Sequence, residues 1–266
     1  QEALAGVGIG GYAMFMMTAL VFGLSSSVQS QTAHASGAEK ACTAQPLRSG
    51  LMIGLAIGVP LSCLAWWQTP ALIQLMAPSD AVTQIALEYF RWRVVALTVI
   101  ALTLCLRGYW NGLQQTHLYL RIIVFVHVVN VALSAALIYG IGGLPALGVN
   151  GAAIGTTLSL LLGLFIWAVI TWRQSPPLTR LLPSWHGVKV TLKLALPHSL
   201  QQLWFAAGYM VLFWLLGQLG TSSVAVGHVL VNLSLLLILP GVGVGVAAMS
   251  LVGEALGRDD QQAAHR

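Results

Sequence analysis

Residues 119–140 read YLRIIVFVHVVNVALSAALIYG, and this stretch decides the class of the fold. As an α-helix it would extend about 33 Å, enough to cross a hydrocarbon core of roughly 30 Å. Its one formal charge, Arg121, lies at the start. Comparable apolar runs occupy 4–28, 47–67, 86–110, 149–172, 197–217 and 224–251. They are continuous and rich in Leu, Ala, Val and Gly, with no ten-residue alternation, so a membrane barrel is excluded. The expectation is an all-α integral membrane protein with seven transmembrane helices. Composition agrees: only 7% of the 266 residues are charged against a usual share of about 25%. Apolar residues make up 57%, and the mean hydropathy is +0.82. The formal charge of +5 does not indicate nucleic acid, because the basic residues are scattered between apolar runs and form no patch.

Their placement reports orientation, since cytoplasmic connections retain Lys and Arg. Lys40 and Arg48 lie between spans one and two, and Arg107 and Arg121 between three and four. Arg173, Arg180, Lys189 and Lys193 lie between five and six, and Arg258 and Arg266 follow seven. Stretches 68–83, 141–148 and 218–223 hold none, leaving Arg91 and Arg93 as exceptions. A chain starting outside and ending in the cytoplasm follows. Trp66, Trp67, Trp92, Trp110 and Trp172 are placed for an aromatic belt, and Glu88 with Arg91 for an interfacial ion pair. Cys42, Cys63 and Cys105 are too scattered for a disulfide framework or thiolate metal site and read as small apolar residues. The start Gln1-Glu2-Ala3 has neither initiator Met nor signal peptide, which suggests a fragment.

Sliding the chain against itself by 220 residues pairs Gly23 with Gly243, Ser30 with Ser250, Ala35 with Ala255, Gly37 with Gly257 and Glu39 with Asp259. Spans one and seven thus look like copies running in the same direction, so the repeating unit has six helices related by an axis along the membrane normal. Two such units give a parent of roughly 440 residues and twelve helices. The expected organisation is a first lobe over 1–172 lacking one helix, a cytoplasmic linker over 173–196, and the start of a second lobe over 197–266. Pro176, Pro177 and Pro183 mark the linker, and 186–196 suits a short amphipathic helix on the inner surface.

Several motifs carry a family resemblance. They are Leu106-Arg107-Gly108-Tyr109-Trp110-Asn111-Gly112-Leu113, Asn130-Val131-Ala132-Leu133, the run Gly148 to Thr156, Leu196-Pro197, and the run Leu251 to Asp259. In order and spacing they resemble the multidrug and toxic compound extrusion (MATE) transporters, and the chain resembles helices two to eight of twelve. The resemblance implies a two-lobe helical bundle with a central cavity and alternating access. It further implies antiport of Na⁺ or H⁺ against amphipathic, often cationic small molecules, without enzymatic chemistry or any other cofactor. A multi-pass protein of the bacterial inner membrane is expected, acting as a monomer with the bilayer and without nucleic acid.

The chain departs from the family at two positions. Ser134 stands where many members carry a carboxylate one turn after the asparagine, and Phe205 roughly where some carry a glutamate. The seven acids, Glu2, Glu39, Asp80, Glu88, Glu254, Asp259 and Asp260, all fall at span ends or in loops. The coupling ion therefore stays open between Na⁺ and H⁺.

Polar groups inside spans are costly unless paired or facing water, which makes them candidate site residues. Asn130 and Ser134 lie one turn apart, and by the resemblance Thr156 joins them in one polar pocket. His127, Gln201, Gln202 and Arg107 are further substrate or ion-binding candidates, with packing or snorkelling as the competing role for each. Gly50, Gly54 and Gly58 on span two, and Gly151 with Gly155 on span five, favour close helix approach. Pro240 followed by Gly241 is a candidate hinge that should bend span seven.

Other motifs fail on context. Gly6-Val7-Gly8-Ile9-Gly10-Gly11 matches a dinucleotide pattern but lies inside an apolar run. Gly23-Leu24-Ser25 could suggest an intramembrane protease, yet the repeat maps Ser25 to Gly245, a demand for smallness. A retinal protein needs a membrane lysine, and Lys40, Lys189 and Lys193 are in connections. A flippase for lipids or lipid-linked oligosaccharides is the nearest alternative, and a seven-helix receptor is the alternative from another class.

Overall fold

The computed structural model describes residues 2–39, 43–74, 80–174, 184–218 and 221–265. Among them there is no strand. Nine α-helices follow in order: α1 (Glu2–Gly37), α2 (Gln45–Gln74), α3 (Asp80–Val94), α4 (Ala96–Gly112), α5 (Thr116–Tyr139), α6 (Gly148–Gln174), α7 (Trp185–Gln218), α8 (Thr221–Gly257) and the short α9 (Gln261–His265). Five of these are long and apolar enough to cross a membrane, six spans in all when α3 and α4 count as one bent span. The span expected at 197–217 lies within α7, whose described residues do not meet the same measure.

Helix α1 is the axis of the bundle, packing on α2, α3, α4, α7 and α8. Helices α5 and α6 form a hairpin that joins the rest mainly through α6, against α3 and α4. Small residues set these distances. A Cβ on Gly108 would fall 2.3 Å from the Ser25 carbonyl, and one on Gly23 would fall 2.0 Å from that of Ala195. Only hydrogen fits there, which is how backbones approach without a hydrophobic drive between helices. The expected small-residue faces pack as the spacing suggests: Gly54 and Gly58 seat α2 against α4, Gly50 lies against Val28 of α1 and Cys105 of α4, and Gly151 and Gly155 seat α6 on Leu137 and Ser134 of α5. The outward face of α5 carries exposed Leu120, Val124, Phe125, Val128 and Val131, the surface a lipid-facing helix needs. Gly140 closes α5 with φ 72°, and its N–H donates to the Ala136 carbonyl.

Four expectations need correction. The span expected at 86–110 is broken at Val95, and its halves α3 and α4 meet at 43°. Nothing in the local sequence marks this break, since no Pro or Gly stands there. Residues 186–196 are no separate surface helix. They are the first turns of α7, continuous through Pro197, with Val188, Thr191 and Ala195 buried and Thr191 bonded to α1. Trp110 is not a belt residue: it is 2% exposed, stacks on Trp167 at 6.5 Å and donates its indole N–H to Thr171 Oγ1 at 3.0 Å. Trp66, Trp67, Trp92 and Trp172 are exposed, as a belt requires.

The fourth concerns Glu88, whose carboxylate accepts from Asn150 Nδ2 at 2.9 Å, tying α3 to α6 instead of pairing with Arg91. Helix α8 runs as one element through Pro240. Cys105 is buried and Cys63 exposed. Lys40, Cys42, Pro176, Pro177, Arg180, Pro183 and Arg266 lie outside the described residues.

Candidate functional site

In the midst of an apolar helix, α1 carries Ser25-Ser26-Ser27-Val28-Gln29-Ser30-Gln31-Thr32. Buried polar groups must find partners, and this run finds them on two sides. Toward α7, Ser27 Oγ donates to the Thr191 carbonyl at 2.8 Å, and Gln31 Nε2 donates to Thr191 Oγ1 at 3.0 Å. Toward α8, Gln29 Nε2 donates to the Val246 carbonyl at 2.7 Å and to Ser250 Oγ at 2.8 Å. Ser250 Oγ in turn donates to the Asn111 carbonyl of α4 at 2.9 Å. Gln29, Ser250 and Asn111 are all at least 96% buried. This four-helix polar knot was missed at the level of sequence, although eight successive residues with only one apolar side chain inside a span were the visible signal.

The knot lies toward the end of α1 and α8 that carries the basic connections. Beyond it toward that end, Gly253 faces Ala33, Gly37 rests on the Glu254 carbonyl and Gly257 on the His34 carbonyl. Gln114, in the turn after α4, donates to the Glu254 carboxylate, which also pairs with Arg258. Away from that end the two helices part company. Gly241, Gly243 and Gly245 of α8 have nothing within 4 Å of a built Cβ, and Leu236, Leu237 and Leu239 are exposed. Helix α1 keeps its company with α7 instead, where the Tyr12 hydroxyl donates to the Ala206 carbonyl at 2.9 Å. The helices α1 and α8 are thus joined at one end and separate at the other.

A cavity of about 480 Å³ adjoins the joined end, bordered by Gln31, His34, Gln45, Ser49, His186 and Gly253 among others. It draws on α1, α2, α7 and α8 and is apart from the polar pocket expected in the first lobe.

The sequence-based candidates fall in several places. Asn130 is half-buried, and its Nδ2 is enclosed without an acceptor. Ser134 packs against Gly155, the neighbour of Thr156, whose hydroxyl donates to its own helix at Ala152. The α5–α6 contact therefore brings these residues near one another, while no hydrogen bond joins any two of the three. His127 is exposed and its Nδ1 meets the Ile123 carbonyl one turn back at 2.9 Å. Gln201 is exposed and Gln202 half-buried on α7. Arg107 lies in the gap between α1 and α5, its guanidinium over the rings of Phe22 at 5.9 Å and Tyr119 at 5.1 Å. Gly241, beside Pro240, is exposed on the free stretch of α8. Ser25 is buried, and its carbonyl lies under Gly108, where a Cβ would not fit. No group of three or more metal-ligating His, Cys, Asp or Glu side chains exists among the described residues.

Comparison with known proteins agrees with this architecture. The family model MatE matches residues 1–136 and 197–266. A protein of Bradyrhizobium diazoefficiens named "Probable multidrug resistance protein NorM" is 30% identical over all of this chain and 58% of its own length. One of the same name from Agrobacterium fabrum is 26% identical over 97% of this chain and 57% of its own length. The chain therefore spans a little over half the length of these relatives. Among solved structures, a multidrug resistance MATE family transporter in an outward-facing conformation superposes with a TM-score of 0.89 at 25% identity, over 100% of this chain and 59% of the other. A MOP superfamily transporter from Pyrococcus furiosus superposes equally well, at 0.89 and 25% identity, over 100% of this chain and 59% of its own. With the helix order, the repeat and the matched residues in agreement, the chain belongs to the MatE family of multi-pass membrane transporters.

Proposed function

We propose that the protein of which this chain forms part is a secondary active multidrug efflux transporter, exporting amphipathic compounds, cations among them, by Na⁺ or H⁺ antiport with alternating access. Residues 1–172 belong to its first lobe, 173–196 connect the lobes, and 197–266 open the second. The expected setting is the bacterial inner membrane, with a monomer as the working unit. The observation that carries this is the partial contact of α1 with α8: joined through Gln29, Ser250 and the glycine contacts at the basic end, apart along the rest. Two helices that touch at one end only can swing about that contact while α1 stays on α7 through Tyr12 and Ala206, and a ligand or ion that favours one arrangement drives the change. Neither a receptor nor a lipid flippase finds support in the relatives, which bear multidrug resistance names.

The test locks the contact in the full-length protein. In a cysteine-free background, Ala33→Cys with Gly253→Cys should form a disulfide under oxidation and stop efflux of ethidium from loaded cells, and a reductant should restore it. Efflux that continues at the wild-type rate with the disulfide formed would remove the alternating mechanism.

A further inference from the structure

Two helices begin at the cavity beside the joined end. Gln45 and Pro46 open α2 there, and His186 and Gly187 belong to the first turn of α7. The two starts are tied to each other. Gln45 Nε2 donates to Ser184 Oγ at 2.7 Å, and the same oxygen caps α7 by accepting from the Gly187 N–H at 3.1 Å. Each helix start carries the positive end of a macrodipole, equivalent to about half a charge. Two such ends side by side repel, and a negative group between them relieves the repulsion. The protein supplies none. No described residue bordering the cavity is acidic, and stretches 40–42 and 175–183 of the sequence contain no Asp or Glu either.

Donors stand where a carboxylate is missing. His34 borders the cavity from α1, Gln45 and Ser49 from α2, and His186 from α7. Both histidines are exposed and Gln45 is half-buried, so their side chains are open to a ligand, and an imidazole has an N–H to give whether neutral or charged. Ser49 lies at the floor, wholly buried, and its hydroxyl has no hydrogen-bond partner. A buried hydroxyl left in that state is rare and calls for a reason. Across from it stands Gly187, where a Cβ would fall 2.9 Å from Ser49 Oγ, so the lack of a side chain keeps the hydroxyl uncovered toward the start of α7. Lys189 and Lys193, exposed on the same helix, add positive potential around the mouth.

We propose that this cavity is a phosphate-binding site, with His34, Gln45, Ser49 and His186 as donors between the starts of α2 and α7. Helix N-termini are a recurrent seat for phosphate, and here two of them converge. The group has two sources, the headgroup of an anionic phospholipid in the cytoplasmic leaflet or free inorganic phosphate. Leu194 borders the cavity and is exposed, as are Leu192 and Leu196, which gives an acyl chain an apolar path along α7 from the headgroup. Such a ligand is held and not exported, and its binding does not depend on the transport reading. It would bind α2 and α7 to the closed end of the α1–α8 contact.

The experiment uses full-length protein, washed free of lipid in detergent, and isothermal titration with dihexanoylphosphatidylglycerol, with dihexanoylglycerol, which lacks the phosphate, and with sodium phosphate. Wild type should bind the phosphatidylglycerol saturably and at least tenfold more tightly than dihexanoylglycerol. The double variant His34→Ala with His186→Ala should weaken it fivefold or more and leave dihexanoylglycerol unchanged. Ser49→Ala should weaken it at least threefold with no fall in melting temperature, since the hydroxyl it removes bonds to nothing in the protein. It serves as the second variant should the double variant lose its monodisperse elution. Phosphatidylglycerol binding more tightly than inorganic phosphate identifies the lipid as the source, and inorganic phosphate binding as tightly or more so identifies the free anion. Binding of neither phosphate compound overturns the proposal. So does equal binding of phosphatidylglycerol and dihexanoylglycerol without binding of inorganic phosphate, or a variant within twofold of wild type.

Discussion

Ala33 and Gly253 meet face to face where α1 crosses α8: a Cβ built on Gly253 falls 3.0 Å from that of Ala33. The two positions are 220 residues apart, the period at which the sequence matches itself. Around them the contacts are exchanged in pairs. A Cβ on Gly37 would lie 2.0 Å from the carbonyl oxygen of residue 254, and one on Gly257, its repeat partner, 2.2 Å from that of residue 34. Such reciprocity is what a twofold axis between two copies of one helix requires, because residue i then meets j while j's copy meets i's.

Substituting either glycine should cost stability by similar amounts. Gly37→Ala and Gly257→Ala each place a methyl group on a backbone carbonyl, and overpacking of this kind costs about 1–3 kcal/mol. Thermal unfolding of the full-length protein should show both variants lowered comparably. Gly11→Ala, with nothing within 4 Å, is the control and should match wild type.

Gln29→Leu removes two hydrogen bonds between α1 and α8 and leaves the Val246 carbonyl without this donor. Loss of buried polar partners costs about 1–3 kcal/mol. The closed end should open more often, so a cysteine at position 253 should react faster with a thiol reagent in the Gln29→Leu background. An unchanged labelling rate would show that the glycine contacts alone hold the closure.

The indole of Trp110 is coupled to Thr171 through one buried bond. Trp110→Ala should cost about 3–5 kcal/mol by cavity formation. The smaller change Thr171→Val should cost about 1 kcal/mol and add little on top of Trp110→Phe, which has already lost the donor. A double-mutant cycle on thermal stability measures the coupling.

At the opposite end of the bundle, Glu88→Ala should destabilise the α3–α6 contact because Asn150 then loses its acceptor. Arg91→Ala, at an exposed position, should stay within about 0.5 kcal/mol of wild type. Equal losses from both would restore the ion pair that the sequence suggests.

Asn130→Ala should reduce ethidium efflux in cells without lowering the amount of protein in the membrane. Its enclosed, unpaired amide carries no bond that packing would lose. Efflux equal to wild type at equal expression would leave the α5–α6 pocket as packing only.

How much of this was legible in advance differs between fold and site. Helical spans, the small-residue faces of Gly50, Gly54 and Gly58, and the likeness of α1 to α8 are local or periodic properties, readable along the chain. Trp110 was placed in an interfacial belt because tryptophan prefers that depth, whereas its bond to Thr171 and the stack on Trp167 come from a helix more than fifty residues away. Glu88 looked paired with Arg91 because they are three apart on one helix; Asn150 reaches it only after α6 folds back.

The sequence by itself determined that this chain crosses a membrane as helices and that its first and last long helices are related copies. Both follow from quantities carried by each segment alone: the cost of exposing charge or bare peptide groups to lipid, and the recurrence of residue types. Only the tertiary structure decided which polar groups meet: Gln29 with Ser250, Glu254 with Gln114, Arg107 with Phe22 and Tyr119. In lipid the polar side chains of each helix have many possible partners of similar worth, so the pairing is set by how closely the glycines let the backbones approach.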